Sequence, residues 1–378
     1  MKTIDTPKGF ARFAAAYADR DADARAWKAA GGKVAGYMTN TVPVELLRAA
    51  GFFPLQLSGG VPGAPTPRAD RYMEELFDPI VRSVFERLLA GDYAFLDLIV
   101  LPRTSDSVQR LYYYLVELKR RGEADLPEVL MFDLLHTPWY SSAEYNFDRM
   151  AEFRDRLQGL GDGDINAALP GAIARANASR ERLGQLCARR HARPAALSGE
   201  AALQALAASQ LMEEAAFDTA LAEALAEDVP SAPAGPRLVL AGSPLDHAGL
   251  HRLVSDCGGS VVGDYHGYGE QMLGGQINTA MAPLRALTEH YHRTVFSSRR
   301  FPADPKALAE FAVAAGADGV IFYFFAEEEA LTWEYPGQRK ALEAAGLGAL
   351  CFTLQPYAMD AASLKPQVQA FIDGLASR

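Results

Sequence analysis

Ser105 and Asp106 stand side by side in "LIVLPRTSDSVQRLYYYL", Leu98 to Leu115. Four apolar residues run into the polar knot Pro102-Arg103-Thr104-Ser105-Asp106 and then into a helical pattern, as a buried strand hands over to a helix. The carboxyl end of such a strand is where α/β folds keep their ligands. "GDYHGYGEQ" (263–271) repeats the arrangement, with Asp264, His266 and Glu270 among three glycines directly after a strand pattern. Glycine lets backbone approach a ligand closely, and an acid with a histidine in one loop can move protons. A solvated turn would have the same composition.

In "AGSPLD" (241–246) Ser243 follows a strand and precedes a helix. A Gly-Ser turn there offers backbone N–H groups to an anion such as a phosphate, unless Ser243 or Asp246 only caps the helix. "FAEEEALTWEY" (325–335) places Glu327 and two further glutamates at a strand-to-helix junction, where negative charge suits the helix N-terminus. His247 and His251 have a metal-binding spacing on a predicted helix. No third ligand is near, so they read as surface polar residues. His290 and His292 lie near a helix end and favour its dipole, and "LYYYL" (111–115) reads as one buried helix face. P-loop, GxSxG and GxGxxG patterns are missing from the sequence.

These residues hang on alternating elements. Strands are expected at 33–38, 52–57, 97–101 and 128–132, with helices at 72–90 and 106–121 between them. An Ala-rich, wholly helical stretch fills 143–227, and "EDVPSAPAGP" (227–236) reads as a linker. Strands then recur at 237–242, 260–265, 319–325 and 348–354, with helices near 246–255, 279–293, 305–315, 333–345 and 362–377. The expected fold is α/β: two Rossmann-like lobes with mainly parallel sheets and a helical connector. The boundaries are 1–142 for a first lobe with an N-terminal helix, 143–236 for connector and linker, and 237–378 for the second lobe.

The 378 residues carry a formal net charge of -10, which argues against nucleic acid and an anionic membrane surface as partners. No run reaches the roughly 18 apolar residues of a membrane span, and "MKTIDTPKGFARF" lacks the apolar core of a secretory signal. Cys187, Cys257 and Cys351 are far apart, as expected of reduced thiols in a cytoplasmic protein.

The stretch "GYMTNTVPVELLRAAGFFPLQLSGG" (36–60) resembles the N-terminal signature of the 2-hydroxyacyl-CoA dehydratase and benzoyl-CoA reductase subunit family. The likeness continues in family order through "PIVRSVFERLLAGDY" (79–93), "LPRTSDSVQRLYYYL" (101–115), "AGSPLD" (241–246), "GGSVVGDYHGYG" (258–269), "ADGVIFYFFAEEE" (317–329) and "QAFID" (369–373). The resemblance implies paired two-lobed subunits that hold cysteine-ligated 4Fe–4S clusters at or near an acyl-CoA site. It also implies an ATP-dependent activator that injects one electron. The reaction would be either dehydration of a 2-hydroxyacyl-CoA or reduction of an aromatic acyl-CoA.

The chain departs from the family where the cluster would bind. Ser105 stands in place of the cysteine of a Cys-Asp pair, and further family cysteines fall near Asp78, at Thr39 in some members, and at Ala326. The C-terminal Gly-Gln…Thr-Arg signature has become Ala362-Ser363…Pro366-Gln367. Cluster irons are held by thiolates, so the resemblance implies a chain without its own cluster, working with a related cluster-bearing subunit. Ser105, Ser243 and Thr39 would then retain a binding role. Two rivals remain. One is a stand-alone non-redox acyl-CoA enzyme using Asp106, Asp264, His266 or Glu327 as acid–base groups, and the other an acyl-CoA binding protein.

Overall fold

The computed structural model describes residues 8–74, 76–227, 235–295, 297, 300 and 302–377. Helices α1 (Lys8–Ala18) and α2 (Ala22–Ala29) precede β1 (Lys33–Tyr37), α3 (Val44–Ala49), β2 (Phe52–Gln56), α4 (Pro79–Ala90), β3 (Leu98–Pro102), α5 (Asp106–Arg121) and β4 (Glu128–Phe132). Then follow α6 (Tyr140–Leu160), α7 (Ile165–Ala188), α8 (Gly199–Leu211) and α9 (Glu214–Ala226). The second half runs β5 (Arg237–Gly242), α10 (Gly249–Asp256), β6 (Ser260–Tyr265), α11 (Pro283–Arg293), α12 (Ala307–Ala314), β7 (Gly319–Phe325), α13 (Ala330–Ala344), β8 (Gly348–Gln355) and α14 (Ala361–Ala376). Most of the linker expected at 227–236 lies outside the described residues.

The strands form two four-stranded sheets, ordered β2-β1-β3-β4 and β6-β5-β7-β8, with every pairing parallel. The two lobes therefore share one topology. Parallel sheets covered on both faces need strands that are apolar throughout, and "LIVLP" of β3 and "GVIFYFF" of β7 are buried along their whole length. In each lobe the chain leaves the first strand for one edge and returns to the other side for the third. This makes a topological switch point between β1 and β3 and another between β5 and β7.

Local chemistry sets the element ends. Asp78 caps α4, accepting from the N–H groups of Ile80 and Val81, with Pro79 in the first turn and Gly91 left-handed at the far end. This helix starts at Pro79, where periodicity places it at 72, because proline and its cap fix the start. Ser105 caps α5 from an extended backbone, and Gly122 closes it. In "LYYYL" Leu111 and Leu115 are buried, but Tyr113 points to solvent, as a 3.6-residue period requires.

One apolar cluster joins both sheets, running from Leu55, Phe85 and Ile99 through Leu211 of the connector to Leu240, Ile321 and Phe325. Helix α8 lies against β2 and β6 at once, so it touches an edge strand of each sheet. Helix α1 packs on α8 and α9 through Phe10 and Phe13. Helix α11 crosses over: Leu287 and Tyr291 join the cluster formed by β1, β3, α6 and α7 of the first half.

That crossing corrects the reading of the histidines near its end. His290 and His292 are buried, and Asn146 Nδ2 of α6 meets His292 Nδ1 at 2.9 Å. Burial, with Arg180 nearby, takes His290 down to about 4, so it is neutral and adds nothing to the helix dipole at neutral pH. His247 and His251 do not share a helix, since α10 begins at Gly249. His251 is buried rather than on the surface, its Nε2 lying 2.7 Å from Asp264 Oδ1.

Candidate functional site

The carboxyl ends of β1, β3, β5 and β7, the four strands that define the two switch points, meet at one cavity of about 110 Å³. Its wall carries Thr39 and Asn40 after β1, Asp78 at the start of α4, Thr104 and Ser105 after β3, and Glu328 after β7. Met38, Ile80, Val108, Tyr268 and Leu331 supply the apolar part. The cavity opens into a groove of about 430 Å³ that shares Asp78, Thr104, Ser105 and Glu328 and adds Asp106, Arg110 and Glu327.

Ser105, Asp106, Glu327 and Thr39 therefore come together across cavity and groove. Ser105 Oγ accepts from Val108 N at 3.2 Å, so its first task is the helix cap. Asp106 is exposed at the mouth. Thr39 has a φ of +57°, a left-handed conformation that costs a β-branched residue about 1–3 kcal/mol and concentrates at ligand sites. Burial pushes the carboxyls of Asp78, Glu327 and Glu328 up, and Asp78 adds to the rise in both glutamates. Glu328 Oε1 accepts from Leu331 N at 3.0 Å, so the glutamate run does favour the start of α13.

Asp264 and His266 lie elsewhere, fully buried. Asp264 is bound by Arg190 and His251, and Glu270 also pairs with Arg190. Burial alone would raise the Asp264 carboxyl, but the charges of His251 and Arg190 outweigh it and hold it well below the ordinary range. Ser243 is spent inside the sheet: its N–H donates to Tyr323 O and its Oγ accepts from Phe325 N, each at 2.9 Å. The turn needs glycine before it. Gly242 has φ +111°, and a Cβ there would lie 2.4 Å from the Tyr323 carbonyl oxygen.

Sequence reasoning did not single out Asn40, Thr104 or Glu328 as site residues, nor Asp78 beyond the resemblance. Asn40 Nδ2 and Thr104 Oγ1 are buried without a hydrogen-bond partner, so each has a donor to spare in the cavity wall. The available signal was the polar knots "TNT" (39–41) and "RTSD" (103–106), each directly after a strand.

Of the four positions that the resemblance gives to cluster cysteines, three, at Thr39, near Asp78 and at Ser105, line this one cavity, and Ala326 does not. Their hydroxyl and carboxylate oxygens do not suit an iron–sulfur cluster, which takes thiolates. The free cysteines are remote: Cys187 sits among α1, α7, α8 and α9, Cys257 follows α10, and Cys351 lies on β8. Among the described residues no group of three or more His, Cys, Asp or Glu is placed to hold a metal ion.

Two parallel sheets with their carboxyl ends converging on a polar cavity define a two-lobed α/β protein. A profile of the family described as 2-hydroxyglutaryl-CoA dehydratase, D-component, matches residues 39–375, and the chain belongs to that family. It is 21% identical over 362 residues to the beta subunit of (R)-2-hydroxyglutaryl-CoA dehydratase from Acidaminococcus fermentans, covering 92% of this chain and 94% of that one. It is 35% identical over 114 residues to a subunit of benzoyl-CoA reductase from Thauera aromatica, 29% of each chain. No helix among the described residues is long and apolar enough to cross a membrane.

Proposed function

We propose that this chain is the cluster-free subunit of a 2-hydroxyacyl-CoA dehydratase or benzoyl-CoA reductase type complex in the cytoplasm. It supplies part of an acyl-CoA site and pairs with a related subunit that holds the 4Fe–4S cluster, which an ATP-dependent activator reduces. The observation that carries this reading is the convergence of Thr39, Asp78 and Ser105 on one thiol-free cavity at the switch points. In the same reading the chain divides into lobes at 1–142 and 237–378 around the connector.

The role of this chain's own residues follows from the cavity. At about 110 Å³ it takes an acyl end and not a whole CoA, since pockets for larger ligands run to roughly 300–1,000 Å³. Asn40 Nδ2 and Thr104 Oγ1 would donate to the acyl oxygen, while Ser105 and Thr39 shape the wall. The mouth sets Glu74, Asp78, Asp106, Glu327, Glu328 and Glu329 against Arg110 alone. Such a mouth repels a second copy of itself laid face to face. A different subunit therefore fits here better than a homodimer. Leu76, at the mouth and 77% exposed, offers it apolar surface.

The test is iron and acid-labile sulfide per chain on protein purified without oxygen, alone and co-expressed with a related cysteine-bearing chain. The expected result is no iron in the isolated chain and a cluster in the complex. Four iron per isolated chain would overturn the reading. A second reading, acid–base chemistry without a partner, is favoured by the raised carboxyls of Asp78, Glu327 and Glu328, which keep a proton to higher pH. Turnover of an acyl-CoA by the isolated chain in air would select it.

A further inference from the structure

Outside the cleft cavity the buried carboxylates each have an arginine: Asp21 has Arg87, Glu45 has Arg180, Asp246 has Arg20 and Asp264 has Arg190. The cavity departs from that rule. Asp78 and Glu328 line it, and among the described residues no Lys, Arg or His does. Asp78 Oδ1 accepts from the N–H groups of Ile80 and Val81, and Glu328 Oε1 from that of Leu331, but these donors carry no full charge. Glu327 Oε2, in the adjoining groove, is buried with no partner. Two arginines nearby are engaged elsewhere. Arg82, whose charge reaches Glu327, holds Asp70 and the Glu74 carbonyl. Arg110 is exposed, its guanidinium 5.4 Å from the centroid of the Phe77 ring.

A second feature is independent of these charges. Thr104 is 7% exposed and lines both cavity and groove, and its Oγ1 has no hydrogen-bond partner. Besides the proton it can give, a hydroxyl has lone pairs to receive one.

Carboxylates taken from water without a counter-charge are costly, and burial pushes the carboxyls of Asp78, Glu327 and Glu328 up accordingly. A divalent metal ion needs about six oxygens, whereas Met38, Ile80, Val108 and Leu331 make much of this wall apolar. A primary ammonium on a short carbon chain suits both parts of the wall, since it has three N–H donors and no acceptor. A cavity of ~150 Å³ holds benzene. At about 110 Å³ this one takes less than a ring, on the order of four or five heavy atoms.

We propose that the cleft cavity is a site for a primary ammonium, held by the carboxylates of Asp78 and Glu328 and the hydroxyl of Thr104, with Glu327 attracting it from the groove. The ammonium is either the far end of an acyl chain bound as its CoA thioester, or a small free amine. The first source rests on the acyl-CoA reading above, and the second does not.

Calorimetry on the intact chain distinguishes them with three probes: β-alanyl-CoA, butyryl-CoA, in which a methyl replaces the ammonium, and propylammonium chloride. The expected result is binding of β-alanyl-CoA about tenfold or more tighter than butyryl-CoA, the scale of a charge-assisted hydrogen bond. The ratio should fall to near one in Glu328→Gln and in Asp78→Asn. Asparagine still caps a helix, so the second variant serves if the first does not fold. Propylammonium binding that weakens in these variants, with no binding of either thioester, would keep the site and remove the acyl-CoA reading. Equal binding of both thioesters, with none of propylammonium, would overturn the ammonium site and leave the acyl-CoA reading standing. An advantage for β-alanyl-CoA that survives both variants, or no binding of any probe, overturns the site.

Discussion

Arg190 Nη1 donates to Asp264 Oδ2 across 2.6 Å, with neither side chain exposed to solvent. His251 holds the other carboxylate oxygen, so the pair ties the end of β6 to α10 and to the turn that follows α7. This is a buried ion pair in which both Arg190 Nη groups and both Asp264 carboxylate oxygens are bound and Arg190 Nε has no partner, and removing one member leaves the other uncompensated. Arg190→Met is expected to cost about 3–5 kcal/mol in urea unfolding. A loss below about 1 kcal/mol would mean that Asp264 is not held by this pair. Because the Asp264 carboxyl is held low, its contribution is complete above the ordinary aspartate value, about pH 4. It is lost only as pH falls well below that.

Ser243 looks from its motif like an anion-binding turn, but its hydroxyl serves the Phe325 N–H in a fully buried position. Ser243→Ala would leave that N–H unpaired and lower stability by about 1–3 kcal/mol. Affinity for an acyl-CoA should not change. A variant of wild-type stability with lost affinity would return Ser243 to the binding site.

Thr39, Asp78 and Ser105 face one cavity, which makes the idea of a lost cluster site open to reconstruction. The triple substitution Thr39→Cys, Asp78→Cys and Ser105→Cys supplies three thiols where three or four are needed. Anaerobic reconstitution is expected to give iron and sulfide bound in the triple variant and none in the parent, read by metal analysis and absorbance. Loss of the Asp78 and Ser105 caps should cost about 0.5–2 kcal/mol each. A folded triple variant that takes up no iron would count against the cavity as a former cluster site.

His290 gives a defined pH dependence. Its proton affinity is lowered from 6.5 to about 4 by burial and by Arg180. The unfolded chain therefore binds a proton that the native state refuses, and stability falls as pH drops from about 6.5 toward 4. Above that window the neutral ring costs nothing on this account. His290→Gln should flatten part of the slope of melting temperature against pH and leave values above pH 7 nearly unchanged. An unaltered slope would show that His290 does not titrate this way.

Local patterns carried much of this protein into view. The apolar runs of β3, β5, β6 and β7, the Ser105 cap and the Gly122 stop lie within a few residues of one another in the chain, and short-range sterics and hydrogen bonding decide them. Alternating strands and helices then force parallel sheets, and parallel sheets put polar loops at the carboxyl ends of the strands. Ser105 and Asp106 were therefore legible as part of a polar loop at the carboxyl end of a strand.

The pattern could not say which loops share a cavity. Asp264 and Ser105 both follow strands, yet Asp264 turns inward to Arg190 and His251 while Ser105 faces the cleft. That choice depends on α8 lying against the edge strands of both sheets, and on α11 crossing to pack on α6 and α7. Such contacts join residues far apart in sequence through apolar burial, which has no local period. The order of residues was enough for the two sheets, the ends of their elements and the absence of cysteine where the resemblance expects it. It took the folded chain to bring Thr39, Asp78 and Ser105 together, and to bury His251 and His290, because each depends on long-range packing of one element on another.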